Sequence, residues 1–162
     1  MIRAAAEARA RNEIYVVADM HHMPQLPDAR FALAVSYVSL VDIVNLTSAL
    51  RKRFESFSRA GRFVVCNLSP MVTASRQQAQ VLPDHYFDET LRSMPMFGGI
   101  VNNFHSTFST YINGFIEHGI EIEAIREPYP SPEQLKHCPA NADNLRVPVF
   151  IIYLLRKPLK AR

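Results

Sequence analysis

The sequence predicts an α/β fold built on a parallel sheet. Two observations carry that expectation. Ile14-Tyr15-Val16-Val17-Ala18 and Phe31-Ala32-Leu33-Ala34-Val35-Ser36-Tyr37 are short apolar runs, each followed at once by polar or small residues. The loop between them holds Pro24, Pro27 and Asp28. Runs of this length, rich in Val and bounded by Pro and Asp, read as strands buried on both faces. Such strands belong to parallel sheets covered by helices. Ligands of these sheets sit beyond the carboxyl ends of the strands. The residues at those ends are Asp19-Met20 and Ser36-Tyr37.

Residues 1–11 read as a helix. Arg3, Glu7 and Arg11 recur every four residues as a solvent stripe, and Ile2 and the alanines give a small apolar face. The first strand is Ile14 to Ala18 and the second Ala32 to Ser36. Residues 45–60 form the clearest helical pattern. Asn45 is its N-cap, Leu46, Ala49, Leu50, Phe54 and Phe57 its apolar face, and Gly61 its C′ glycine. Arg62 to Asn67 is the next strand, stopped by Ser69-Pro70. Residues 71–103 read as irregular, broken by Pro83, Pro95 and Gly98-Gly99. A connection this long is functional or mobile. Ser106 or Thr107 caps a second helix, with Phe108, Tyr111, Ile112, Phe115 and Ile116 inward and Gly119 at its end. Ile120 to Glu127 alternates as a strand, and Pro128 to Arg146 is a polar loop. Val147 to Leu155 is the last strand, with Pro148 near its start, where a lost donor is tolerated.

A chain of 162 residues is expected to form one domain, long enough to bury a core. No apolar run approaches the length that spans a bilayer, and the amino terminus has no signal-peptide pattern. Cys66 and Cys138 are too few for a disulfide framework, so a reduced cytoplasm is expected. The net charge of +3 is mild. Arg51-Lys52-Arg53 and the tail from Arg156 to Arg162 carry no interleaved aromatics, which argues for solvated surface over nucleic acid.

The residues also carry a resemblance. Val17-Ala18-Asp19-Met20, Met23-Pro24, Leu26-Pro27-Asp28 and the run from Phe31 to Ile43 resemble the middle of a class I S-adenosylmethionine-dependent methyltransferase. Gly61-Arg62-Phe63-Val64-Val65 resembles the glycine-led fifth strand of that family, with Ala60 where a first glycine is usual. His105 to Tyr111, followed by an apolar helix, resembles the type-11 group acting on small molecules. The resemblance implies a Rossmann-like sheet of order 3-2-1-4-5-7-6 with helices on both faces. The strand Ile14–Ala18 would be the third of the family and Ala32–Ser36 the fourth. The first two strands and the G-x-G-x-G turn would lie upstream of Met1, so the fold is expected to be truncated. Its only paired glycines are Gly98-Gly99, far downstream.

The cofactor implied is S-adenosylmethionine, and the acceptor a small molecule. Asp19 would take an amino hydrogen of adenine, and the Met20 amide would donate to a ring nitrogen; otherwise Asp19 merely caps the loop. Ser36 and Tyr37 would let the cofactor approach the backbone, unless Tyr37 is a core aromatic. Asp42, between Val41 and Ile43, faces the transfer site or caps the next helix. His105 would remove a proton from the acceptor, or is a helix-start histidine bonded to backbone. Tyr111 is core by spacing and a substrate contact second. His21-His22 point in different directions and have no third ligand nearby, so no metal site is expected.

Two alternatives remain at this stage. One is a non-catalytic interaction protein. The other is half of a split methyltransferase whose exposed edges self-associate or pair with a partner chain supplying the absent strands. An upstream frame encoding the glycine-rich turn discriminates them.

Overall fold

Residues 15–17, 19, 31–55, 57–74, 85–96 and 99–159 are described by the computed structural model. Along the chain run β1 (Phe31–Tyr37), the 3-10 turn η1 (Leu40–Asp42), α1 (Leu46–Glu55), β2 (Phe57–Leu68) and the short α2 (Pro70–Thr73). The hairpin β3 (Leu91–Met96) and β4 (Gly99–Phe104) follows, then α3 (Phe108–Glu117) and β5 (Glu121–Arg126). The chain closes with α4 (Pro132–His137), η2 (Pro139–Leu145) and β6 (Phe150–Arg156).

The main sheet has the order β1-β2-β6-β5. β1 and β2 are parallel, and β6 is antiparallel to both β2 and β5. Strand register sets the core. Ala34 lies opposite Phe63 and Ser36 opposite Val65. Val65 pairs with Tyr153, Phe63 with Leu155 and Asn67 with Ile151. Side chains two apart share a face, so these residues make one surface. α1 covers it with Leu46, Ala49, Leu50 and Phe54, and α3 with Tyr111 and Phe115. Each of the Leu and Phe side chains among them contributes about 1.5–3 kcal/mol by leaving water. The Phe54 ring meets Phe63 and Phe115 edge to face, with centroids 5.9 and 6.5 Å away. Gly114 of α3 faces Leu50 of α1: a Cβ there would sit 3.4 Å from Leu50 Cδ1.

Capping follows the sequence signals in part. Asn45 Oδ1 accepts from the Ser48 amide at 3.0 Å. Thr107, not Ser106, caps α3, and Gly119 with φ +67° ends it. α1, however, stops at Glu55, so Phe57 and Gly61 belong to β2 instead. The reason is tertiary. The Ala60 amide donates to Lys157 O and the Lys157 amide to Gly61 O, extending the sheet beyond β6. The Lys157 ammonium donates to Phe54 O at 2.7 Å and satisfies a carbonyl of the last turn.

Other expectations are corrected. The strand Ile14–Ala18 is not a buried strand over its described part: Tyr15, Val16 and Val17 are exposed and carry no strand, and Asp19 forms an isolated bridge. β1 is not buried on both faces. Leu33, Val35 and Tyr37 are 57%, 63% and 70% exposed, which marks their side of the sheet as uncovered. Val64, Ile152 and Leu154 on the same side are only half-buried. Ile116 is exposed rather than inward. Residues 91–104 are a hairpin rather than irregular, with Pro95 opposite Ile100 in a two-stranded ladder where a missing donor is tolerated. The polar loop after β5 contains α4 and η2. The expected helix over 1–11 and His21-His22 lie outside the described residues.

Candidate functional site

Parallel strands β1 and β2 deliver their carboxyl ends side by side, with Tyr37 opposite Cys66. Ser36 is buried on the core side, and its Oγ lies 2.6 Å from Ser39 Oγ. Tyr37 points to the opposite, open side. The strand end separates the two residues instead of joining them at one surface. Val38 then turns with φ 48°, its amide donating to Cys66 O at 2.7 Å. That turn starts η1, which buries Leu40 and Val41 and leaves Asp42 at the surface. Desolvation by the apolar residues around it raises the Asp42 carboxyl above its ordinary range.

At the end of β2 stands Asn67, fully buried. Its Nδ2 donates to the Tyr111 hydroxyl at 2.8 Å. Tyr111 stacks on Tyr153, with centroids 6.1 Å apart. Burial raises both phenols far above their ordinary value. The Asn67 bond opposes that rise at Tyr111, and the negative charges of Glu89 and Asp42 add to it. Both tyrosines are therefore neutral at physiological pH. Asn67 Oδ1 and the Tyr153 hydroxyl are buried without a hydrogen-bond partner among the described residues. Each such atom costs about 1–3 kcal/mol when unmet. They present one acceptor and one donor.

Ser69 caps α2, and Thr73 ends it. Thr73 Oγ1 lies 2.7 Å from His105 Nδ1. The other ring nitrogen, Nε2, lies 2.8 Å from the carbonyl of Tyr86. A carbonyl only accepts, so Nε2 carries the proton and Nδ1 accepts from Thr73. The ring is fully buried, and desolvation lowers its pKa, with nearby Arg92 acting the same way against Glu89 and Asp88. In this arrangement both nitrogens are committed, one of them to backbone. Tyr86 also receives the Phe108 amide on its hydroxyl at 2.9 Å. Glu89 Oε1 accepts from the Thr107 amide at 2.7 Å and from Thr110 Oγ1 at 2.5 Å. Burial works against the Glu89 charge, but these bonds outweigh it and hold the carboxyl below its usual range. Arg92, nearly buried, donates to the carbonyls of His85 and Asp88.

Ser36 lies near the end of β1, Tyr111 is bonded to Asn67 at the end of β2, Asp42 lies on η1 just beyond β1, and His105 is bonded to Thr73 and the Tyr86 carbonyl. Tyr37 and Asp19 are exposed, and Met20 lies outside the described residues. Asn67, Thr73, Tyr86, Glu89 and Tyr153 escape sequence reasoning. Asn67 had a signal: a lone amide at the end of Phe63-Val64-Val65-Cys66, the same reasoning that singled out Asp19. The contacts of Tyr86 and Glu89 with α3 span about twenty residues and had none. Among the described residues no group of His, Cys, Asp and Glu could hold a metal ion, and no helix is long and apolar enough to cross a membrane.

No family model matches the sequence, and no curated protein matches it. Solved structures do. An S-adenosylmethionine-dependent methyltransferase from Mesorhizobium loti is 26% identical with a TM-score of 0.80, covering 95% of this chain and 74% of its own. One from Listeria monocytogenes is 22% identical with a TM-score of 0.80, covering 96% of this chain and 74% of its own. The Haloferax volcanii methyltransferase solved with the activator Trm112 is 12% identical with a TM-score of 0.66, covering 98% and 68%. The strand order β1-β2-β6-β5 corresponds to the segment 4-5-7-6 of the family order. The fold is that of the class I S-adenosylmethionine-dependent methyltransferases.

Proposed function

We propose that this chain is a single methyltransferase domain that transfers a methyl group from S-adenosylmethionine to a small-molecule acceptor. The observation that carries the reading is the sheet itself: a parallel pair followed by an inserted antiparallel strand, with polar side chains at the carboxyl ends. S-adenosylmethionine supplies an electrophilic methyl group on a sulfonium. Displacement from it needs alignment and an electron-rich acceptor more than a strong base. That suits a site whose tyrosines are neutral and whose histidine is tied.

The residues fit the cofactor in part. Asp19 and Met20 would read adenine, and Ser36 and Tyr37 would flank it. The glycines of this sequence (61, 98, 99, 114 and 119) form no G-x-G-x-G turn to cradle the rest. Asp42, and Tyr111 with the Asn67 amide on its hydroxyl, would face the acceptor. His105 acts as base only if the segment bearing Tyr86 lifts from its ring; as it stands, it is tied to Thr73 and the Tyr86 carbonyl.

A second reading has its own observation. Leu33, Val35 and Tyr37 form an exposed apolar row on β1, the edge strand among the described residues. Such an edge pairs readily with another chain. We propose that the complete site includes a partner polypeptide, or a second copy, seated there. Calorimetry with S-adenosylmethionine tests both readings, on this chain alone and together with the polypeptide encoded directly upstream. Weak or no binding alone and firm binding together supports the split site. Firm binding alone supports a self-sufficient domain. No binding in either case removes the methyltransferase reading.

A further inference from the structure

The excursion between β5 and β6 borders an open cleft of about 440 Å³. Val149 and Phe150 line it at the start of β6, and Tyr129, Gln134, His137 and Asn141 line it from the excursion. The β6 part of the lining is anchored to the sheet: the Ser69 amide donates to Val149 O at 2.9 Å, and Phe150 pairs with Leu68. Phe150 alternates with Ile151, so it lies on the side of the sheet away from α1 and α3. The cleft is therefore separate from the buried Asn67–Tyr111 pair, and its occupancy does not depend on methyl transfer.

The excursion's part of the lining is built, not frayed. Ser131 and Gln134 form a capping box: the Gln134 amide donates to Ser131 Oγ at 3.2 Å, and Gln134 Oε1 accepts from the Ser131 amide at 2.8 Å. This orients the Gln134 side chain and leaves its NH2 group as a donor. Pro128 and Pro130 restrict the backbone on either side of Tyr129. α4 buries none of its residues, so this segment adds nothing to the core. Tyr129 remains 76% exposed, a large aromatic surface that the fold itself does not use.

The lining contains no Asp, Glu, Lys or Arg. A charged ligand would lose hydration there with no carboxylate, ammonium or guanidinium in the lining to offset it. The volume is that of a small-molecule site, and a mostly apolar wall with a few amides is the usual composition of one. We propose that this cleft binds a neutral ring compound bearing hydrogen-bonding substituents, stacked against Tyr129 and Phe150 and held by Gln134 and Asn141.

A matched pair of probes tests the proposal: indole-3-acetamide, which is neutral, and indole-3-acetate, which has a similar shape but is anionic. Each is titrated into the ¹⁵N-labelled full chain, and alkylation of the exposed Cys138 in the cleft wall is followed by peptide mass. The amide should shift the Val149 and Phe150 resonances, slow Cys138 alkylation, and bind roughly tenfold more tightly than the acetate. Tyr129→Ala, a change at an exposed position, should weaken the amide at least several-fold without altering the spectrum of the core. Absent shifts at millimolar probe, equal affinity for the two probes, or unchanged affinity in Tyr129→Ala overturns it.

Discussion

His105 Nδ1 lies 2.7 Å from Thr73 Oγ1, a contact between residues 32 apart that joins the two ends of the excursion after β2. With Nε2 held by Tyr86 O, the neutral ring is a buried bridge between α2, the segment at Tyr86 and the start of α3.

His105→Ala should destabilise the protein by about 1–3 kcal/mol, because it leaves a buried hydroxyl and carbonyl unmet. The sign of the pH effect follows from the lowered pKa. The unfolded chain takes up a proton near its ordinary value of 6.5, and the folded chain only at lower pH. Stabilisation by the neutral ring is full above that value and declines as pH falls below it. Thermal melts of wild type and His105→Ala across pH 5–8 check this: the gap between them should narrow at the acid end.

Tyr111→Phe removes the acceptor of the Asn67 amide and should cost about 1–3 kcal/mol. Asn67→Leu alone trades one orphan for another. The double variant should recover part of the loss, so a double-mutant cycle by urea denaturation should give a coupling of about 0.5–3 kcal/mol. A cycle that sums to zero would separate the two residues.

Glu89→Gln should loosen the first turn of α3. The carboxylate holds the Thr107 amide and the Thr110 hydroxyl. Its folded pKa is lowered below the ordinary 4.5, so its contribution is present above pH 4.5 and lost as pH falls through the folded value. Amide hydrogen exchange at Thr107–Tyr111 should be faster in the variant at neutral pH and alike in both proteins at strongly acid pH.

The exposed row on β1 should drive self-association of the chain by itself. Leu33→Lys with Val35→Lys places two charges on the uncovered side, a device that blocks edge pairing. Light scattering should show a lower mean mass for the double variant than for wild type at equal concentration. Equal masses would show that this row is not the contact.

Local pattern alone determined much of the fold. The apolar run of β1, the Asn45 cap, the helix start at Ser106 or Thr107 and the Gly119 stop were readable because they depend on neighbours within a few residues. The strand order came from the family resemblance and not from local pattern, and the sheet order β1-β2-β6-β5 agrees with its 4-5-7-6 segment. Tertiary structure decided where that local logic was overruled. α1 ends at Glu55, before Gly61, because ladder bonds to Lys157, about a hundred residues away, take the chain into β2. Residues 91–104 pair as a hairpin despite Pro95 because the other strand supplies what a local reading cannot see. The candidate site divides in the same way. The residue types at strand ends drew attention to Asp19, Met20, Ser36 and Tyr37, apolar neighbours to Asp42, and the family resemblance to His105, while Tyr111 read as core by helical spacing. Whether a histidine is a free base or a buried bridge depends on Thr73 and Tyr86, which only the folded chain brings to its two nitrogens.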